Sequence, residues 1–280
     1  MVTRKDRNSF DAGAYWQERV GADADLAVVG HRAMGLAYNS EIYARRIEAM
    51  ESMLERHVDK PLEQLRVLDI GCGSGFYAGF WQARGVREYI GLDISSRTVA
   101  RLASSYPKYR FVHADITEAL PDALSDSGSF DIITVLDVLY HIIDKRRFES
   151  AISNIGGLLT GGGRLFIMES LCRRNYQVSK HVIHRARDAY FAEFRKNHLE
   201  LADSELLFHF LVPPITGIRI IDRFFGGAFK VFGCGLRLND RLATWTASKL
   251  RRLDARMRKH NVSMANNELL VFARSAAVHD

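Results

Sequence analysis

The apolar positions of this chain follow two rhythms that alternate. Short β-branched and leucine runs stop abruptly, and stretches with apolar residues three and four apart follow them. The runs predict strands at 66–70, 88–93, 109–113, 130–136 and 163–169. The intervals predict helices at 75–84, 96–105 and 145–159, with Gly161–Gly163 as the turn into the fifth strand. Strands that alternate with helices imply a parallel, doubly wound α/β sheet that binds ligands at the carboxyl ends of its strands.

Ahead of this core, residues 1–12 are polar. Asn39 and Ser40 offer N-caps to a helix carrying Ile42, Tyr43, Ile47, Met50 and Leu54, and Pro61 closes the region. The division expected is a helical N-terminal cover over 1–64 and the α/β domain over 65–280. Beyond the fifth strand, Ser179–Asn197 has helical spacing through Val182, Ile183, Ala186, Tyr190 and Phe194. Residues 198–211 read as a sixth strand with its extension, and 268–273 as a seventh. Between these two lies an insertion at 212–264, expected to serve a substrate pocket or self-association. It holds an aromatic, glycine-rich run, Phe224–Gly235. An amphipathic helix follows, with Leu242, Trp245, Leu250, Leu253 and Met257 on one face. Lys249, Arg251, Arg252, Arg256, Arg258 and Lys259 are assigned to the other.

The chain is organised around Arg66–Tyr77, RVLDIGCGSGFY. A buried strand carrying Asp69 ends in Gly71, Gly73 and Gly75, and helical spacing resumes at Phe76. Glycines at such a turn let backbone approach a ligand closely, and the helix that follows turns free N–H groups toward it. A dinucleotide fingerprint G-x-G-x-x-G begun at Gly71 needs its third glycine at position 76, which is Phe. The spacing present is D-x-G-x-G-x-G. It resembles motif I of the class I S-adenosylmethionine (SAM) dependent methyltransferases, and further motifs of that family follow in order as far as Glu169. The resemblance implies a Rossmann-like seven-stranded methyltransferase sheet. A helical N-terminal cover precedes it and an insertion separates strands six and seven, the seventh lying antiparallel beside the sixth.

The same resemblance distributes roles. Asp93, 18 residues after Gly75, accepts the ribose hydroxyls. Asp115 and the Ile116 amide take the adenine edge, and Ile94 packs on its face. Asp69 fixes the glycine loop, with Gly71, Cys72, Gly73 and Gly75 forming the cradle. Asp137 and Tyr15 complete the cofactor set. Capping or turn roles are the alternatives for Asp93 and Asp115. The end of the fourth strand, Leu136–His141, is similar to the E-x-x-E-H segment of ubiquinone-type O-methyltransferases, but Tyr140 replaces the second acid. No resident metal is therefore assigned, with Mg²⁺ entering only for a diphosphate substrate. His141 is the candidate general base. Glu169, at the end of the fifth strand, is a second candidate, and a structural role is the alternative for each. Trp16, Tyr38, Tyr43, Tyr140 and Phe208 are assigned to substrate, or else to packing the cover on the core. His181 and His184, three apart on a predicted helix, read as structural rather than as a metal pair.

Composition narrows the partners. The chain has 280 residues, 47% of them hydrophobic, a net charge of +6 and a pI near 9.3. Such a balance favours anionic partners or is simply a solvated basic surface. Cys72, Cys172 and Cys234 lie far apart, which fits a reducing cytoplasm rather than a disulfide framework. No apolar run approaches a membrane span, and the N-terminus lacks a secretory pattern. The leading expectation is O-methylation of a small, partly apolar metabolite. The first rival is C-methylation of an alkene or prenyl diphosphate, with Glu169 as base and an aromatic pocket around the carbocation. The second is an RNA or protein methyltransferase using the basic helix, although a nucleic-acid partner is disfavoured. Self-association through 212–264 is the expected route to any oligomer.

Overall fold

A computed structural model of the chain describes residues 10–19, 34–125, 128–259 and 267–274. Its sheet strands are β1 (Arg66–Ile70), β2 (Glu88–Asp93), β3 (Arg110–His113), β4 (Phe130–Leu136), β5 (Leu159–Ser170), β8 (Leu199–Leu206) and β9 (Asn267–Arg274). A separate hairpin, β6 (Tyr176–Ser179) and β7 (Val182–His184), follows β5. The sheet order is β3-β2-β1-β4-β5-β9-β8. The first five strands pair in parallel, and β9 lies antiparallel between β5 and β8. This is the seven-stranded Rossmann-like arrangement expected from the sequence.

Burial explains the near-continuous apolar strands. In β4, Ile132 joins the core on one face of the sheet, and Ile133 and Val135 join the core on the other. Phe166 and Met168 in β5, and Leu269 and Val271 in β9, alternate in the same way with Leu165, Ile167, Leu270 and Phe272. A sheet covered on both faces needs apolar side chains at both parities.

The helices are α1 (Ala12–Arg19), α2 (Gly35–His57), α3 (Phe76–Ala83), α4 (Ser96–Ser105), α5 (Asp122–Ser125), α6 (Lys145–Leu158), α7 (Arg187–Lys196), α8 (Arg219–Leu236) and α9 (Asp240–Lys259). Ser95 caps α4 by accepting the Thr98 amide (3.2 Å), and Asp144 caps α6 by accepting the Arg147 amide (2.9 Å).

Three expectations are corrected. The helix at 35–57 begins before Asn39 and Ser40, so these residues do not cap it. Their side chains bond back to the carbonyls of Gly35 (2.7 Å) and Leu36 (3.0 Å) inside the helix. Tyr38 draws the extra turn in: its ring is buried and its hydroxyl donates to the Leu211 carbonyl (2.9 Å). Second, 179–197 is not one helix. Backbone bonds from Cys172 to Arg185 and from Arg187 back to Cys172 hold the chain extended as far as Ala186, so only 187–196 coils. His181 therefore lies in the hairpin turn and His184 on β7, without the shared helical face their spacing implied. Third, the cationic face of α9 is partly used internally. Arg251 pairs with Glu41 (3.2 Å), and Arg258 donates to the Leu207 carbonyl (3.1 Å).

Phe272 is buried and stacks on Phe194 with centroids 4.4 Å apart. Phe272→Ala is expected to lower unfolding free energy by about 3–5 kcal/mol, read by urea denaturation; a loss below about 1 kcal/mol would contradict this packing.

Candidate functional site

At the carboxyl edge of β1, β2, β3 and β4 lies a cavity of about 510 Å³, within the usual range for small-molecule sites. Gly71, Cys72, Gly73 and Ser74 form its floor, and Asp93, Ile94, Asp115, Ile116 and Thr117 one flank. Asp137, Val138, Tyr140, His141 and the 142–144 loop form the other flank, and Tyr43, Arg46, Phe76 and Tyr77 a further wall. Phe10, Ala12 and Trp16 line it from the N-terminal side.

The loop after β1 is pinned by backbone. The amides of Gly71 and Cys72 both donate to the Leu92 carbonyl (2.7 and 3.1 Å). Gly71 has φ +75°, and a Cβ there would stand 2.4 Å from Val138 Cγ2, so only glycine fits. Asp93 accepts the Gly73 amide on Oδ2 (2.9 Å) and the Ser95 amide on Oδ1 (2.9 Å). Burial raises its pKa, and these two amides oppose the shift.

Asp69 does not hold this loop. It is buried behind the cavity, where Tyr89 Oη (2.8 Å) and Thr134 Oγ1 (2.7 Å) donate to its carboxylate. Burial pushes its pKa up to about 6 against those two bonds. Asp115 lines the cavity with one oxygen taken by Thr117 N (2.9 Å) and Oγ1 (2.7 Å) and the other by Arg147 Nη2 (2.5 Å).

On the far wall Arg46 pairs with Asp137 (2.6 Å) and lies over the Tyr43 ring, 5.0 Å from its centroid. Burial works against the Arg46 charge, but Asp137 together with Tyr43, Tyr77 and Tyr140 more than offsets it and holds the guanidinium protonated. Asp137 has φ +60°, a strained conformation for a residue with a side chain. Tyr77 lines the cavity here, and its hydroxyl is buried without a hydrogen-bond partner.

His141 Nδ1 lies 2.8 Å from the His181 carbonyl. A carbonyl only accepts, so Nδ1 carries the proton and Nε2 keeps its lone pair. Burial drives the His141 pKa down to about 4, against the effect of that bond. Trp16 sits edge-on to the ring at 4.8 Å.

Several assigned residues lie elsewhere. Tyr38 and Phe208 are buried in the core and do not line the cavity. Tyr15 turns to His181, 3.3 Å from its Nε2, and Gly75 shapes the loop from behind. Glu169 is buried outside the cavity lining, with Oε1 accepting the Ser170 amide (3.2 Å) and Oε2 unpartnered. Among the described residues, none of 212–259 lines the cavity. Arg46, Tyr77 and Arg147 were missed. Arg46 alone carried a signal, three residues after Tyr43 on one helix face.

A strand–glycine-loop–helix cradle with an acid at the end of the second strand defines a nucleoside-binding α/β domain. Residues 67–163 match the family described as "Methyltransferase domain", and this segment is a SAM-dependent methyltransferase domain of class I. It is 28% identical over 168 residues to a ubiquinone biosynthesis O-methyltransferase of Methylocella silvestris, covering 59% of this chain and 60% of that protein. The chain thus spans less than two thirds of the length of the curated relatives it matches. Among solved structures, a SAM-dependent methyltransferase of Leishmania major aligns with a TM-score of 0.56 at 15% identity, covering 70% of this chain and 75% of that one. A magnesium protoporphyrin IX methyltransferase of Synechocystis with bound SAM aligns at 0.52 and 18% identity, covering 72% and 93%. At such identities these structures establish the shared fold.

The lining suits an adenosyl sulfonium: a glycine cradle, a buried acid beside it, and an ion pair with an orphan hydroxyl at the opposite end. Burial raises the Glu169 pKa well above its ordinary value. Such a group takes up a proton on folding, so its stabilising contribution is present at low pH and lost as pH rises. Glu169→Gln is therefore expected to gain stability relative to the parent as pH increases from about 5 to about 8, read by urea midpoints; a difference independent of pH would show that Glu169 is buried ionised.

Proposed function

We propose that this protein transfers a methyl group from SAM to a small, partly apolar acceptor, and that the acceptor atom is a hydroxyl oxygen. The observation that carries the reading is that the glycine loop, Asp93 and His141 line one and the same cavity. SAM, when bound, supplies an electrophilic methyl on a sulfonium. The chain's own groups then have separate tasks. Asp93 accepts the ribose hydroxyls with the lone pairs left over from Gly73 and Ser95. Asp115, Ile116 and Ile94 bound the adenine end. Asp137 and Arg46 meet the ammonium and carboxylate of the methionyl end. His141 Nε2 takes the acceptor's proton, its tautomer set by the His181 carbonyl. Trp16, Phe10 and Tyr43 exclude water and offer ring faces to positive charge. Ubiquinone biosynthesis O-methyltransferases among the relatives support oxygen as the acceptor atom. The carbocation alternative needs Glu169 at the substrate, and its burial outside the cavity lining weighs against that.

The test is methyl transfer from labelled SAM into hydroxylated metabolites and, separately, prenyl diphosphates, with and without Mg²⁺. Label in the first pool alone supports the reading, and label in the second alone overturns it. Asp93→Ala is expected to weaken binding of S-adenosylhomocysteine at least ~100-fold by calorimetry, since two charged hydrogen bonds are worth about 1.5–3 kcal/mol each. His141→Ala is expected to lower kcat by about 10²–10⁴ with little change in cofactor affinity. Because burial holds His141 neutral down to about pH 4, the rate should stay level from about pH 8 to about pH 5. An acid limb near pH 6.5 would assign the base elsewhere.

A further inference from the structure

The described part of the insertion, absent from the cavity lining, carries an organised surface. Helix α8 has three faces. Phe229, Gly233 and Leu236 fall within about 60° on a helical wheel and turn inward, with Leu236 buried and Phe229 packed on the core. Ile220, Phe224 and Val231 fall within about 40° of one another and point out. They are 82%, 71% and 77% exposed, and Ile221, Phe225 and Phe232 widen the stripe. Leu238, 89% exposed in the turn before α9, and Trp245, 61% exposed on α9, follow. A Cβ added at Gly226, Gly227 or Gly235 would meet nothing within 4 Å, so no described residue covers this side. The third face is a row of exposed cations, Arg219, Arg223, Lys230 and Arg237, within about 40° along the edge of the apolar stripe. None of the four forms an ion pair among the described residues.

Charge decides the occupant. Residues 212–259 hold eleven Lys and Arg against three Asp. Asp254 is buried and accepts the Phe210 and Leu211 amides, and Asp222 accepts from Thr216 and Gly217. A second copy packed on this face would set like charges against like charges. An anionic lipid surface answers both features: its headgroups neutralise the cationic row while its acyl boundary takes the phenylalanines. No helix among the described residues is long and apolar enough to cross a membrane, so contact would be in the plane of the surface.

We propose that α8 is an interfacial helix that seats the protein on an anionic membrane surface through Ile220, Phe224 and Val231, flanked by Arg219, Arg223, Lys230 and Arg237. This goes beyond the methyl-transfer reading and stands without it.

The test is co-sedimentation of the full chain with phosphatidylcholine vesicles, with and without phosphatidylglycerol. Binding is expected only where phosphatidylglycerol is present, and to fall as salt rises. Neutralising Arg223→Gln or Lys230→Gln should each weaken it about fivefold. Phe224→Glu with Val231→Glu should abolish it, with circular dichroism and cofactor affinity unchanged. No binding to anionic vesicles at low salt would overturn the proposal, as would equal binding to neutral ones. A dimer in sedimentation equilibrium that Phe224→Glu dissolves, without vesicle binding, would assign the face to a second copy instead.

Discussion

The carboxylate of Asp93 sits where two loops meet, and both depend on it. An ionised carboxyl offers about four lone-pair sites. One here receives the amide of Gly73, from the loop after β1, and another the amide of Ser95, at the cap of α4. The glycine loop is thereby tied to the end of the neighbouring strand rather than to the acid within its own strand. The group that shapes the cradle also lines the cavity. Its desolvation is offset by amides fixed in place by the sheet, a preorganised arrangement that binding need not rebuild.

The cavity's other end rests on a second buried charge, and this one joins the N-terminal helix to the sheet. Arg46 of α2 reaches Asp137 at the end of β4, and Asn267 Nδ2 bonds Asp137 from β9 (3.2 Å). A charge pair this far from water gains from its partner about what it loses in hydration, so its stabilising effect is small while both members are present. Its effect is geometric. Asp137 is held at a positive φ that an isolated chain would avoid, and the backbone bends there to lead Val138–His141 along the cavity wall.

The five parallel strands and the cradle were legible because local pattern and tertiary role agree there: strands buried on both faces must be apolar, and a ligand-hugging turn must be glycine. The misreadings fall where a long-range contact overrode local preference. Val182 and Ile183 have helical spacing with Tyr190 and Phe194, yet the Cys172 backbone pairs with Arg185 and Arg187 and keeps the chain extended. Tyr38 and Phe208 have the aromatic character of pocket residues, but aromaticity does not tell core from cavity, and both are in the core. Tyr77 was missed because an orphan hydroxyl has no sequence signature apart from the groups that surround it.

The two halves of the sheet have different duties, and topology accounts for the split. On the β3-β2-β1-β4 side every strand runs the same way, so four carboxyl ends open into one crevice. At β5 the order breaks. Strand β9 returns antiparallel and sets Glu268 opposite Glu169, where Arg187 pairs with Glu268 (2.7 Å). The bridge from Cys172 to Ala186 then carries the β6–β7 segment back beside the end of β5, and Arg185 donates to the carbonyls of Leu139 and Ile142. Glu169 ends a strand in the same direction as Asp69 and Asp137, yet this covering removes it from the crevice. A carboxylate at a strand's carboxyl end belongs to a site only while that end stays open, and in this chain the antiparallel return closes it.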